Sequence, residues 1–143
     1  MEREQVSEWL DAYERAWRTA GVELLAELFT PDASYVQGPY EESHIGLPAI
    51  GRMWEETRDG PDEIFTATPS IVAVEGATAV VRVEVKYGDP VHRRYRDLWI
   101  MRFADDGRCS AFEEWPFWPN QPYTADDGDS EASDAEASSS KMP

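Results

Sequence analysis

Apolar side chains recur at helical spacing near the start of the chain. Val6, Trp9, Tyr13 and Trp17 follow one another in steps of three or four residues. This spacing puts them on one face of a helix that begins near residue 3 and ends near Gly21. The pattern therefore predicts an amphipathic first helix with an aromatic face.

Two shorter helices are predicted next. Residues 24–29 are rich in leucine and predict a short helix that is stopped by the proline two residues later. Residues 33–37 look extended, and residues 40–46 form a polar loop. Pro48 is well placed to begin a third helix, which a Gly-Pro pair ends near residue 60.

From residue 64 onward the apolar period changes to two. Residues 79–87 alternate alanine, valine and tyrosine with charged or smaller side chains, which predicts a strand with one apolar face. Glycine-containing turns separate this strand from residues 64–75, 95–103 and 109–115. Helices followed by antiparallel strands predict an α+β fold. About three helices would pack on a curved sheet of four to six strands and enclose a space between the layers.

Turn lengths predict how the last strands pair. A loop over residues 88–92 and a four-residue turn over residues 104–107 place Asp97 directly opposite Glu114. Both carboxyl groups then face the apolar side of the sheet, toward the helices. The same register puts Cys109 on the opposite face, where we expect it to be inert.

Composition and charge narrow the function. Hydrophobic residues make up 41% of the 143 residues, which suffices for a core. The net charge of −16 disfavours nucleic-acid binding, and the only basic cluster is Arg93, Arg94 and Arg96. One cysteine, two distant histidines and no nucleotide-binding glycine motif give no support for a metal or cofactor. The apolar runs are too short for a membrane helix and no signal peptide is visible, so we expect a cytoplasmic protein.

The composition changes at residue 124. Residues 124–143 contain six acids, one lysine and no aromatic residue, valine, isoleucine or leucine. Such a segment cannot bury enough apolar surface to fold. We therefore predict a domain over residues 1–123 and a disordered acidic tail over residues 124–143. The tail could bind a partner or serve only as a solvated, solubilising segment.

Several stretches carry a family resemblance. WLDAYERAW, LLAELFTPDASY, GLPAIGRMW and RDLWIMRFADDGRCSAFEEWPFWP occur in this order over about residues 5–119. Their order and spacing resemble the nuclear transport factor 2-like superfamily, which includes ketosteroid isomerase, limonene epoxide hydrolase and the SnoaL-like polyketide cyclases. The resemblance implies a cone-shaped fold with a pocket between the first helix and the concave sheet.

The resemblance also assigns individual positions. The general-base aspartate of ketosteroid isomerase falls on Gln37, its oxyanion-donating tyrosine on Tyr13, and its protonated aspartate near Trp99. Two of these three catalytic positions hold a different type of residue, so steroid isomerisation by that mechanism is not implied. An acid of the last strand, found in the epoxide hydrolase and some cyclases, falls on Glu114. The Asp–Arg–Asp arrangement of the hydrolase is not evident.

These residues form a candidate site. Asp97 and Glu114 could share proton transfer, because two opposed carboxyl groups on an apolar face cannot both ionise cheaply. They could instead be solvated at the sheet edge or paired with Arg93. Tyr13 could donate to a substrate oxygen or simply pack in the core, and Gln37 could orient a carbonyl group or a water molecule. The remaining candidates would contact substrate or belong to the core or surface: Trp17, Tyr35, His44, Trp54, Trp99 and Phe112.

Three hypotheses about function remain open at this point. The first is a cofactor-independent acid–base enzyme (cyclase, dehydratase, isomerase or hydrolase) that acts on a small, apolar, oxygen-bearing metabolite. The second is a non-catalytic ligand-binding or dimerisation domain of the same fold. The third is a partner of a larger assembly that binds through the acidic tail. The aromatic stretch over residues 115–119 could close the core, cover an edge or form a homodimer face.

Overall fold

The computed structural model describes residues 1–60 and 62–121; the predicted acidic tail lies outside them. Within these residues the chain forms helices and strands in the following order: α1 (Arg3–Trp17), α2 (Leu25–Leu28), β1 (Phe29–Val36), β2 (His44–Ile45), α3 (Leu47–Thr57), β3 (Phe65–Glu75), β4 (Thr78–Tyr87), β5 (Arg93–Phe103) and β6 (Cys109–Phe117).

The six strands form one curved, unclosed sheet in the order β2-β1-β6-β5-β4-β3. The β1–β6 pair is parallel and the other pairs are antiparallel. The helices cover the apolar face of this sheet, where the aromatic face of α1 is buried. The predicted α+β architecture is confirmed. None of the helices in the described ranges is long and apolar enough to cross a membrane.

α1 ends at Trp17, about three residues before the predicted end. Arg58, which follows α3, donates from Nη1 to the carbonyl oxygens of Ala16 and Thr19 at 3.1 and 2.7 Å, and from Nη2 to that of Gly21 at 3.2 Å. Carbonyl groups at a helix C-terminus have no partner within the helix, and they attract positive charge. The guanidinium group therefore ends α1 and ties it to α3.

The other helices follow the prediction with small differences. Phe29 belongs to β1 rather than α2, because its backbone pairs with Cys109 of β6 and its ring is buried. The predicted polar loop contains the short strand β2. α3 begins beside Pro48, as predicted.

The connection between β5 and β6 differs from the predicted turn in two places. The N–H of Ala104 donates to the carbonyl oxygen of Arg108, so three residues form the loop instead of four, and Gly107 adopts a φ of 89° that favours glycine. A β-bulge then leaves Ser110 without a partner on β5. Each change shifts the register by one residue.

The predicted pairing of Asp97 with Glu114 is therefore wrong. Asp97 lies opposite Pro116, and Glu114 lies opposite Trp99. A two-residue shift preserves the alternation of side chains, so both carboxyl groups still face the helices and are only 2% and 1% exposed. Cys109 precedes the bulge and is shifted by one residue only. It is therefore buried in the core and not on the opposite face, where it was expected.

The predicted register of β4 and β5 is confirmed. Val83 lies opposite Asp97, and Val81 lies opposite Trp99. On the other face, Arg96 Nε lies 3.3 Å from a carboxylate oxygen of Glu84. This register fixes which residues of β5 point toward α1.

Candidate functional site

The aromatic face of α1 packs against the sheet around Tyr13. Its ring stacks on Phe112 with centroids 5.6 Å apart, and it contacts Trp54 and Trp99 at 5.3 and 4.9 Å. Trp17, one turn further along α1, lies edge-on to it at 6.1 Å. The helical spacing of the sequence thus delivers Tyr13 to the middle of the core, where its hydroxyl group must find a partner.

A chain of hydrogen bonds supplies that partner. The hydroxyl oxygens of Tyr13 and Tyr35 lie 2.8 Å apart, and Tyr35 donates to Oε1 of Glu114 at 3.2 Å. Burial raises the pKa of both phenols well above 10, and the charge of Glu114 raises it further. Both tyrosines therefore stay protonated and act as hydrogen-bond donors over the physiological pH range.

Asp97 is a buried carboxyl group with one satisfied oxygen. The indole Nε1 of Trp99 donates to Oδ2 at 3.2 Å, whereas Oδ1 has no hydrogen-bond partner among the described residues. Burial raises the pKa of Asp97 to about 7, although the Trp99 hydrogen bond acts in the opposite direction. Asp97 can therefore both take up and release a proton near neutral pH.

The two acids do not share a proton directly. Asp97 and Glu114 occupy diagonal positions on β5 and β6, whose Cα atoms are typically about 7–8 Å apart. No hydrogen bond joins them. The guanidinium group of Arg93 lies near Asp59 and Glu63, and no ion pair joins it to Asp97. The structure thus gives two separate buried acids rather than a carboxylate dyad.

Two buried indole groups also lack partners. The indole N–H groups of Trp17 and Trp54 donate to no acceptor among the described residues, and both rings touch Tyr13. A buried N–H group without an acceptor is costly, so such groups are rare in folded proteins. Together with Oδ1 of Asp97, they give the core two free donors and one free acceptor close to one tyrosine.

A narrow cleft between α1 and the sheet leads toward this region. Its volume is about 10 Å³, which is roughly the space for one water molecule. The open pocket that the resemblance implied is therefore filled by aromatic rings in this structure. The cleft is lined by residues of α1, β3, β4 and β5: Leu10, Tyr13, Glu14, Trp17, Ala67, Pro69, Val83 and Trp99.

The structure brings nine of the ten candidate residues into the buried interior. Gln37 is buried just after the end of β1, and Phe112 stacks on Tyr35 with centroids 4.5 Å apart. His44 is the exception, because it is only half-buried, on the short edge strand β2, opposite Tyr35. It makes no side-chain hydrogen bond or ion pair with a described residue. The remaining buried candidates are Tyr13, Trp17, Tyr35, Trp54, Asp97, Trp99 and Glu114.

Two residues that support the site were not among the candidates. Trp9 contacts the ring of Tyr13 at 5.4 Å and donates from Nε1 to the carbonyl oxygen of Leu28. Its helical spacing from Tyr13 was the available signal. Arg58 had no signal in the sequence, because its partners lie about 40 positions away. No cluster of three or more potential metal ligands occurs in the described part of the chain.

Comparison with known proteins finds a family with a similar sequence and solved structures with the same fold. A family model described as SnoaL-like domain matches residues 9–112. This range contains the second half of α1, most of the sheet and every candidate residue except Glu114, which lies two positions beyond it. No protein with a curated description matches the chain significantly.

Solved structures with the same fold include an enzyme, an isomerase-like protein and a protein of unknown function. The epoxide hydrolase/cyclase-like enzyme SalBIII, which has a role in pyran ring formation in polyether salinomycin, is 15% identical, with a TM-score of 0.64 over 82% of this chain and 95% of its own. A ketosteroid isomerase-like protein from Erwinia carotovora atroseptica is 16% identical, with a TM-score of 0.57 over 83% and 100%. An NTF-2 like protein of unknown function from Burkholderia xenovorans is 19% identical, with a TM-score of 0.61 over 92% and 94%.

Proposed function

Because the chain belongs to the SnoaL-like domain family, we propose that it binds a small, apolar, oxygen-bearing metabolite and acts on it by acid–base chemistry without a cofactor. The reaction class is that of a cyclase, dehydratase, isomerase or hydrolase. The family match supports the binding of a small-molecule ligand, and its apolar character is part of the proposal. The catalytic step is our proposal, and it rests on the state of Asp97.

The observation that carries the proposal is the half-satisfied, buried carboxyl group of Asp97. Its Oδ2 is held by Trp99, its Oδ1 has no partner in the described chain, and its pKa of about 7 suits proton exchange at neutral pH. General acid–base catalysis is most efficient when the pKa of the group lies near the working pH. A core acid with only a structural role would have both oxygens satisfied.

In the proposed step, Oδ1 of Asp97 removes a proton from a carbon next to a substrate carbonyl group. The C–H bond breaks, an O–H bond forms on Asp97, and the electron pair moves onto the carbonyl oxygen. Asp97 then returns the proton to another atom of the same molecule, so no oxidant or reductant is needed. Trp99 orients the carboxyl group, because its indole N–H fixes Oδ2.

Glu114 and the two tyrosines would stabilise the substrate oxygen. Each phenol has one hydrogen, so the direction of the chain depends on whether Glu114 is protonated. A protonated Glu114 would donate to Tyr35, Tyr35 would donate to Tyr13, and Tyr13 could then donate to the substrate.

The substrate would enter between α1 and β3. The cleft of about 10 Å³ is too small for an organic molecule, so binding would require α1 to move away from the sheet. The unpaired indole N–H groups of Trp17 and Trp54 would then meet acceptor atoms of the substrate. Gln37, Tyr35, His44 and Phe112 would complete the substrate contacts at the β1 and β2 side.

Deuterium exchange tests this proposal without knowledge of the natural substrate. The probe is 2-tetralone, an apolar ketone with exchangeable α-protons, incubated with the protein in deuterated buffer at pD 7 and followed by proton NMR. We expect exchange above the buffer rate, and we expect Asp97→Asn to lower the excess at least about 100-fold. The matched control is Asp105→Asn, an exposed aspartate on the β5–β6 turn.

The outcomes separate the two main hypotheses. An excess rate that Asp97→Asn lowers and Asp105→Asn leaves unchanged supports the enzyme. If 2-tetralone shifts the NMR signals of α1 but no variant changes its exchange, the domain is a ligand-binding protein and the catalytic proposal is wrong. Neither exchange nor binding, with this ketone and with a matched epoxide such as indene oxide, would reject both.

A homodimer is the second part of the proposal. Trp115 is a large aromatic residue near the end of β6 that stays partly exposed in the single chain. Aromatic residues are enriched at protein interfaces. Analytical ultracentrifugation should give twice the chain mass of 16.2 kDa, and Trp115→Ser should reduce it to the monomer mass. A monomer mass for the unaltered protein at 100 μM would contradict this part alone.

A further inference from the structure

The outer face of the sheet is basic, although the chain as a whole has a charge of −16. Side chains alternate between the two faces along each strand. The positions of β4, β5 and β6 that alternate with the buried ones therefore point away from the helices. They hold five cationic and two acidic side chains: Arg82, Lys86, Arg94, Arg96, Arg102, Glu84 and Glu113.

Three cations and one acid lie close together at one end of this face. Lys86 lies directly opposite Arg94, and like charges in this position repel each other. Glu84 lies near both Lys86 and Arg96, at 3.4 and 3.3 Å. The side chain of Arg94 makes no hydrogen bond or ion pair with a described residue. Glu84 therefore lies close to two of the cations, Lys86 and Arg96, whereas Arg94 has no acidic partner among the described residues.

A groove opens at the same end of the sheet. The pairing of β5 with β6 ends at Arg96 and Phe117, three residues after the start of β5, and the groove lies beside this point. Trp118 and Pro119 form the opposite wall, and the ring of Trp118 lies edge-on to Tyr95 with centroids 6.1 Å apart. The two adjoining parts of the groove have volumes of about 300 and 540 Å³.

The described chain ends beside this groove. The N–H of Gln121 donates to the carbonyl oxygen of Trp118 at 3.2 Å, which closes a turn directly after the groove wall. The 22 residues that follow include all six acids of the tail and one lysine. Fully extended, they would span about 75 Å, so the groove is well within their reach.

We propose that the acidic segment of residues 124–143 binds in this groove of the same chain, where its carboxylates pair with Arg94 and Arg96. Charge-assisted hydrogen bonds between arginine and carboxylate are among the stronger polar contacts. Attachment beside the groove gives the segment a high effective concentration, so weak individual contacts suffice. The segment relieves the repulsion between Lys86 and Arg94 and covers the exposed side chains of Arg94 and Arg96.

Paramagnetic NMR on the full chain tests the proposal. A nitroxide label is attached through Ser133→Cys, which lies among the acids of the segment. Cys109 does not compete for the label, because it is buried and burial raises the pKa of its thiol to about 12. At 20 mM salt we expect the amide signals of Lys86, Arg94 and Arg96 to lose at least half of their intensity relative to the reduced label.

Salt and charge variants decide whether the contact is the one proposed. In 1 M salt the screening length is only about 3 Å, so the signals should recover. They should also recover with Arg94→Gln and Arg96→Gln together, and with Asp126, Asp127 and Asp129 all changed to Asn. Arg52→Gln, an exposed arginine of α3, is the matched control and should change nothing.

Three outcomes would overturn the proposal. The first is an even, weak signal loss over the whole surface, which indicates a solvated segment. The second is signal loss near Arg94 that survives both sets of charge variants. The third is equal signal loss when unlabelled, ¹⁵N-enriched chain is mixed with labelled chain, because the segment would then bind a second copy.

Discussion

The hydroxyl oxygens of Tyr13 and Tyr35 lie 2.8 Å apart in the middle of the core. When Glu114 is ionised, Tyr35 donates to it, and because a phenol has only one hydrogen, Tyr13 then donates to Tyr35. The chain links α1 to β6 through the middle of the core. Three buried polar groups are therefore satisfied jointly, and the middle member is needed by both neighbours.

Tyr35→Phe should cost more stability than Tyr13→Phe. Loss of the Tyr35 hydroxyl group leaves the Tyr13 hydroxyl without its acceptor and removes a donor from Glu114, whereas loss of the Tyr13 hydroxyl leaves the bond to Glu114 intact. We expect about 2–4 kcal/mol for the first change and about 1 kcal/mol for the second. Urea unfolding at pH 7 measures both. Equal costs would show that the two bonds are independent.

The stability of the domain should depend on pH through Asp97. Its pKa is raised by burial from 3.8 in the unfolded chain to about 7 in the folded protein. The folded state thus binds the proton more tightly, so stability is highest below pH 3.8, falls as the pH rises toward 7, and levels off above it. One pKa unit is worth about 1.4 kcal/mol, so the loss is at most about 4 kcal/mol.

Asp97→Asn should remove this dependence. The neutral amide has no proton to lose, so the variant should be more stable than the unaltered protein at pH 8 and about equally stable at pH 4. Glu63, whose pKa burial also raises to about 7, contributes in the same direction in both proteins and cancels in the comparison. Thermal unfolding from pH 4 to 8 measures the difference. Identical slopes for the variant and the unaltered protein would place the ionised Asp97 in water.

Trp99→Phe should raise the pKa of Asp97 further. The indole N–H donates to Oδ2, which favours the charged carboxylate and partly opposes the effect of burial. Without this donor we expect the carboxyl carbon of Asp97 to titrate above pH 7 in a ¹³C NMR experiment. A lower pKa in the variant would mean that the smaller ring admits water to the carboxyl group.

Arg58→Ala should destabilise the protein by about 2–3 kcal/mol. The change leaves the carbonyl groups of Ala16, Thr19 and Gly21 without their charged donor and separates the end of α1 from α3. Arg52→Ala on the exposed side of α3 is the matched control and should cost less than about 0.5 kcal/mol. Urea unfolding of both variants makes the comparison. Equal effects would show that helix propensity, and not capping, is responsible.

The burial of the candidate residues was largely predictable. Side chains alternate between the two faces of a strand, so an error of two residues in the register leaves each of them on the same face. The predicted turn was one residue too long, and the bulge at Ser110 was not predicted. The two errors add to a shift of two residues, so Asp97 and Glu114 were correctly assigned to the inner face but wrongly paired. Cys109 precedes the bulge, so only the error in turn length affects it. A shift of one residue moves a side chain to the other face, and Cys109 was therefore assigned to the wrong face.

By itself, the sequence determined the helix and strand order, the aromatic face of α1 and the inward direction of both acids, because these depend on local periodicity. The tertiary structure alone decided which polar atoms meet. The chain from Tyr13 to Glu114, the bond from Trp99 to Asp97 and the cap from Arg58 to α1 depend on side-chain reach and on register to within one residue. Periodicity fixes a face, but a hydrogen bond needs two atoms within about 3 Å, and only the packed core sets that distance.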